Sequence, residues 1–322
     1  MNLSDFNYLA MLSELSTIWV LLAALVLDKY VPIPSSINPL DLFNLLSVRM
    51  TTKVLKSTHT PKQQSIAGFS AHLILVLPFV TIVAALYLLA GLPWLLNIIL
   101  LWLSLQFNSD RHIFLSASSA LSQDKLTLAR ELSQQKLRRE TKLLSKMGLS
   151  KALVEGLFAR YQYQYVSVIF CFLLLGPLAA FAYRLSFTCS QSWNGKHTAF
   201  NHFSRFTQIS CRTIQCLPSL LSNMLFCLLF SPTSFVKDYA NIKTWRQSIL
   251  CPAEVMRQTL RLIINKNTGG PIFYDNQKIS RQRYIALSQL EPEPMDVNKL
   301  QNKLNIHLLI IVLFGAVCVY LV

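Results

Sequence analysis

Phe69–Phe107 reads FSAHLILVLPFVTIVAALYLLAGLPWLLNIILLWLSLQF and contains no Asp, Glu, Lys or Arg. One helical crossing of a bilayer needs about 20 apolar residues. The stretch is therefore long enough for two, and Gly91-Leu92-Pro93 supplies the turn between them. It predicts a helical hairpin, 69–90 followed by 94–107, in a polytopic integral membrane protein of the all-α class. Both ends of the hairpin meet basic sequence. Lys29, Arg49, Lys53, Lys56 and Lys62 precede it, and residues 108–164 carry ten Lys and Arg. Cations beside short loops stay on the cytoplasmic side, so both flanks are expected there.

Working outward, further candidate spans are 9–27, 165–187 and 306–322. Residues 214–230 are ambiguous, because Pro218, Ser219, Ser222 and Asn223 interrupt the apolar run. The expected cytoplasmic segments are 28–67, 108–164 and 231–305, the last with eleven basic residues. If 214–230 crosses, 188–213 lies outside; if it does not, another late span must be reassigned. The N-terminal tail carries Asp5 and Glu14 but no Lys or Arg, which suits the outer side and lacks the basic start of a secretory signal.

Composition agrees with lipid. The chain is 52% hydrophobic and 14% charged, whereas soluble domains carry about 25% charged residues. A net charge of +15 raises the question of nucleic acid, but the cations sit beside apolar spans and no nucleic-acid motif is present. Membrane lipids and anionic ligands are the expected partners, not nucleic acid. Among the seven cysteines, Cys171, Cys227 and Cys318 lie in apolar runs. Cys211 and Cys216, with His197 and His202 upstream, match no common zinc spacing.

Two basic segments hold the candidate chemistry. Residues 115–157 have helical periodicity, with Leu121, Leu126, Leu128, Leu132 and Leu137 as an apolar stripe. Gly148 is expected to end one amphipathic cytoplasmic helix and Ser150 to cap the next, which contains Glu155. Residues 268–275 read TGGPIFYD, with Arg281 and Arg283 further on. Paired glycines before Pro fix a tight turn and let backbone approach a ligand, and guanidinium groups suit phosphate. A turn beside solvated charges fits the same residues. Glu291-Pro292-Glu293-Pro294 reads as a stiff linker. No Walker A, G-x-G-x-x-G or G-x-S-x-G motif is present.

Taken in order, these pieces resemble the CobD/CbiB family of cobalamin biosynthesis proteins, the membrane-bound adenosylcobinamide-phosphate synthases. Leu121–Leu126 with Leu128-Ala129-Arg130 looks like the family's A-L-x-x-G-D-L…A-R helix. Arg139-Glu140-Thr141 resembles its R-D-T, and Val154-Glu155-Gly156 its V-E-S. Ala182-Tyr183-Arg184 with Thr188 resembles A-Y-R/K-x-x-N-T, and Gly269-Gly270-Pro271 with Tyr274 resembles G-G-P-N-Y-Y. Leu27-Asp28 and Asn38-Pro39 stand where the family has L-D and H-P-V.

The resemblance implies a ligase of the bacterial inner membrane. Such a ligase joins the carboxyl of adenosylcobyric acid, a corrinoid, to aminopropanol phosphate with ATP and Mg2+. It makes Glu140 and Glu155 candidate catalytic residues. Arg139, Thr141, Arg184, Thr188, Gly269, Gly270, Pro271 and Tyr274 become candidates for binding substrate or phosphate, while metal ligands stay unassigned. The chain also departs from the family. Ala159 replaces a Glu, Arg160 an Asn, Tyr163 an Asp, Phe187 an Asn and Ser190 an Asp, while Cys251-Pro252-Ala253-Glu254 stands for S-P-N-A-G. The alternative is therefore a catalytically degenerate sensor or scaffold, similar to the related AmpE-type membrane proteins.

Overall fold

The computed structural model describes residues 3–34, 38–55, 59–137, 140–233, 252–274 and 277–321. Helix α1 is Leu3–Tyr30. Helix α2 is Pro39–Val54, opened by Asn38, whose side chain accepts from the Leu40 N–H at 3.0 Å. Helix α3, Pro61–Leu89, starts on a capping box between Thr60 and Gln63, with Pro61 in the first turn. Helix α4 is Pro93–Leu105. The uncharged stretch thus forms two helices joined at Gly91-Leu92. They diverge from that turn instead of packing along each other, and both rest on a later helix, α9.

Helices α5 (Phe107–Ser122), α6 (Leu126–Leu137) and α7 (Lys146–Arg160) come next. The cap of α7 is Ser145, whose hydroxyl accepts from the Gly148 N–H at 3.1 Å. Ser150, the expected cap, is buried one turn further on. Gly148 lies inside the helix and does not end it. Within the expected stripe Leu121 is buried and Leu128 faces outward. Helix α7 runs without a break through a π-helical turn, Tyr161–Val166, into α8, Ser167–Leu175.

The candidate span 165–187 is corrected here. Gly176, at φ +84°, and Pro177 stop α8, and helix α9, Pro177–Ser192, turns back on it. The Tyr183 hydroxyl donates to the Tyr163 carbonyl, which places the two strokes side by side. A positive φ is open to glycine at no steric cost, and proline then starts the returning helix in its favoured first turn. The segment is a buried helical hairpin and not one straight crossing.

That reversal relocates the next part of the chain. Helix α10, Arg205–Phe230, is unbroken although it contains Pro218. The chain just before it meets the first turns of α3. A Cβ on Gly68 would stand 1.8 Å from the Phe203 carbonyl oxygen, and Ser65 Oγ donates to the His202 carbonyl at 3.2 Å. The far end of α10 packs on α7, where Phe226 and Phe158 meet edge to face. The residues just before α10 therefore pack against the start of α3.

Helix α11 is Pro252–Ile264 and α12 is Met295–Leu321. Between them β1 (Thr268–Gly269) pairs with β4 (Arg283–Tyr284), and β2 (Ile272–Tyr274) with β3 (Gln277–Ile279), both antiparallel. Among the described residues the regular structure is helical apart from these short strands, which qualifies the all-α expectation at the Gly-Gly-Pro stretch. Glu291 is no free spacer either. It pairs with Lys151 at 3.3 Å and with Arg283, and it accepts from Asn267 at 3.0 Å. Burial pushes its carboxyl up, but these partners outweigh that and hold it below the ordinary value.

Candidate functional site

Two parts of the chain far apart in sequence meet at Glu155. It lies on α7 and is 7% exposed. Its Oε1 accepts from the Gly269 N–H at 2.7 Å, and its Oε2 accepts from Arg281 Nη2 at 3.2 Å. Arg281 Nε in turn donates to the Gly270 carbonyl at 2.9 Å. One carboxylate and one guanidinium thus clamp the Gly-Gly turn from both sides.

The turn requires its glycines. Gly269 and Gly270 have φ +75° and +96°, and a Cβ on Gly269 would stand 2.1 Å from the Gln282 carbonyl oxygen. We expect Gly269→Ala to lower stability by about 1–3 kcal/mol, read as a fall in melting temperature. A melting curve unchanged from wild type would show that the strap relaxes without cost.

Beside the clamp opens a cavity of about 820 Å3. Its walls come from α7 and the π turn, the loop 194–202, the first half of α10, the start of α11 and strand β2. Glu155, Tyr274 and Arg281 line it. Tyr274 is buried, meets His197 edge to face at 5.3 Å, and has Lys196 Nζ 5.4 Å from its ring centre. On α10, Arg205, Gln208, Ile209, Arg212 and Gln215 face inward, at the i, i+3, i+4, i+7 spacing of one helix face. From α11 come Glu254 and Arg257.

The cavity floor holds a buried charge pair that sequence reasoning missed. Asp110, on α5 and 4% exposed, lies 2.5 Å from Lys136 Nζ and 3.6 Å from Arg160 Nη1. Both cations line the cavity. Arg160 is fixed further by donating to Gln164 Oε1 at 3.3 Å and to the Lys136 carbonyl at 3.0 Å. Asp28, named in sequence only as part of the L-D pair, accepts from the backbone N–H groups of Phe107 and Asn108 at the start of α5, where a helix leaves donors unpaired. In sequence Asp110 reads as one more solvated charge, and no local pattern marks it as buried.

The other expected site residues are elsewhere. Glu140 lies in the loop after α6 and does not line the cavity. Thr141 is buried and donates to the Arg130 carbonyl at 3.0 Å, which ties down that loop. Thr188 donates to the Arg184 carbonyl within α9. Arg184 is buried behind the wall, with its charge 5.8 Å from the Phe187 ring. Pro271 is exposed at the clamp's edge, and Arg139 lies outside the described residues.

A sequence profile of the family described as "CobD/Cbib protein" matches residues 21–300. The chain belongs to the CobD/CbiB family. Among its relatives is "Cobalamin biosynthesis protein CobD" of Stutzerimonas stutzeri, 28% identical over 182 residues. That alignment covers 56% of this chain and 59% of the relative. A protein of the same description from Chromobacterium violaceum is 26% identical over 209 residues, covering 64% and 67%. The match thus spans little more than half of the first relative's length. No solved structure matches the chain.

Against the CobD/CbiB pattern, the departures are not scattered. Ala159, Arg160, Tyr163, Phe187 and Ser190 all line this one cavity. Magnesium fits the resulting wall poorly. It is a hard cation that takes oxygen ligands. The carboxylates on the cavity wall are Glu155, spent on Gly269 and Arg281, and Glu254. Among the described residues no group of three or more His, Cys, Asp or Glu is placed to hold a metal.

Proposed function

We propose that this chain acts in cobalamin biosynthesis, at the cavity beside Glu155, as a multi-pass protein of the bacterial inner membrane. The observation that carries the reading is the clamp. The family's V-E-S and G-G-P positions, over a hundred residues apart, meet through Glu155 and Gly269 on a cationic cavity. The reaction proposed is amide formation between the carboxyl of adenosylcobyric acid and the amine of aminopropanol phosphate. A carboxylate does not condense with an amine in water unless it is activated, and ATP would supply that activation. Both substrates and ATP are anionic, and the arginines on α10 and α11 suit them. Glu155 is assigned to positioning, because both its oxygens are already engaged.

Membrane residence is supported by α3 and α10, each long and apolar enough to cross. On α3 the apolar side chains Ile74, Leu77, Ile82, Leu86, Leu88 and Leu89 are exposed, as lipid contact requires. For α10 we favour a position flat beneath the bilayer, since both its ends pack on segments with a cytoplasmic charge pattern.

A second reading, a degenerate AmpE-like sensor or scaffold, is favoured by the five substituted cavity positions. Complementation separates the two. A bacterial strain lacking its own synthase, supplied with cobyric acid, should regain growth when given this gene. Stable membrane expression without growth would defeat the ligase and leave the scaffold.

A further inference from the structure

The charges around the cavity do not cancel. Lys136 and Arg160 share Asp110, and Arg281 is matched by Glu155. Arg205, Arg212 and Arg257 have no ion-pair partner among the described residues. Arg257 is the telling one. It is 8% exposed, it lines the cavity, and its Nε is buried without a hydrogen-bond partner among the described residues. A buried guanidinium N–H without an acceptor destabilises the fold unless an anion meets it. Thr268 Oγ donates to the Arg257 carbonyl at 2.8 Å, so the same residue is tied to the clamp strand.

The substitutions point the same way. Two acidic positions of the family pattern on α7 and the π turn are here Ala159 and Tyr163, and an amide position between them is Arg160. At these three positions the wall carries a methyl group, a phenol and a guanidinium, and its carboxylates are Glu155 and Glu254 alone among the described residues. Any divalent cation placed there would face three arginines without counter-charges, and one carboxylate without an ion pair, Glu254, among the described residues. An anion placed there meets donors from two helices at once.

We infer that the cavity binds a phosphorylated ligand directly through Arg212 and Arg257, supported by Arg205, with no divalent cation between ligand and protein. The inference takes the cavity of the proposed function as its site, but does not depend on whether ligation occurs there. It assigns the ligand's phosphate to the α10–α11 side of the cavity. The phosphate can belong to a soluble compound or to a lipid headgroup, since both present the same oxygens.

The test is calorimetry on the full-length protein in neutral detergent, with inorganic pyrophosphate as probe. Binding should be measurable in EDTA, should not tighten when Mg2+ is added, and should weaken as salt rises. Arg212→Gln and Arg257→Gln should each weaken it by about tenfold or more. Arg212 is exposed, so its variant keeps the test decisive if the Arg257 variant fails to fold. The pair Ala159→Glu with Tyr163→Asp should weaken binding in EDTA and recover it on adding Mg2+. Nanodiscs of phosphatidylglycerol against phosphatidylcholine separate the sources, because a lipid headgroup in the site would compete with the probe. Binding only with Mg2+, or arginine variants that bind like wild type, would overturn the inference. Those results beside successful complementation would leave the ligase standing. Metal-free binding beside failed complementation would do the reverse.

Discussion

Glu155→Ala is expected to lower stability by about 3–5 kcal/mol. The carboxylate is buried between the Gly269 N–H and the Arg281 guanidinium at the edge of the cavity. Truncation leaves one buried donor unpaired and one largely buried cation without its counter-charge, and each carries its own penalty. The strands β1 and β4 are only two residues long, so little else holds the strap to α7. Glu155→Gln should cost about half as much, because an amide oxygen still accepts from Gly269 while the ion pair is lost. A double-mutant cycle with Arg281→Gln should give a coupling of about 0.5–3 kcal/mol. Melting temperature reads every member of the cycle, and protease cleavage within 268–284 gives a local check. Glu155→Ala melting at the wild-type temperature would show that the clamp does not hold the strap.

The large apolar features were legible because they depend on neighbours in sequence. The uncharged run 69–107 became α3 and α4, and the Gly91-Leu92-Pro93 turn fell where expected. The reversal at Gly176 was not read, although its Gly-Pro signal was present, because an apolar run of that length satisfies the span rule by itself. A hairpin and a crossing have the same composition, and only the partner surface decides between them.

The site divides along the same line. Glu155, Gly269, Gly270 and Tyr274 were candidates from motif order, and the fold brings these four close together. Glu140 and Thr141 belong to the same motif series, yet they serve or border a loop. Asp110, Arg212 and Arg257 were missed, since nothing local separates a buried charge from a solvated one. Their places around the cavity are set only when α5, α10 and α11 converge.

Asp110→Asn should have the second large effect, and its size should depend on pH. Burial alone would push this carboxyl up, but Arg160 and Lys136 outweigh burial and hold it below the ordinary carboxylate value. An unfolded Asp titrates near about 3.9. With the folded value lower, the stabilisation is fully present above that pH and is lost as pH falls through the folded value. Wild type should therefore lose stability in acid, and Asp110→Asn should lack that part of the loss. At pH 7 the substitution should cost about 3–5 kcal/mol, and the gap to wild type should narrow toward pH 3. Equal gaps at both pH values would show that the carboxylate's charge contributes nothing. The two cations it holds are also part of the cavity wall, which makes a second consequence testable with the same protein. If Asp110 only seats α5 on α7, pyrophosphate affinity stays at the wild-type value while the melting temperature falls. If it fixes where Lys136 and Arg160 point, the affinity changes as well, because two cations facing a ligand are useful only when their positions are set before it arrives.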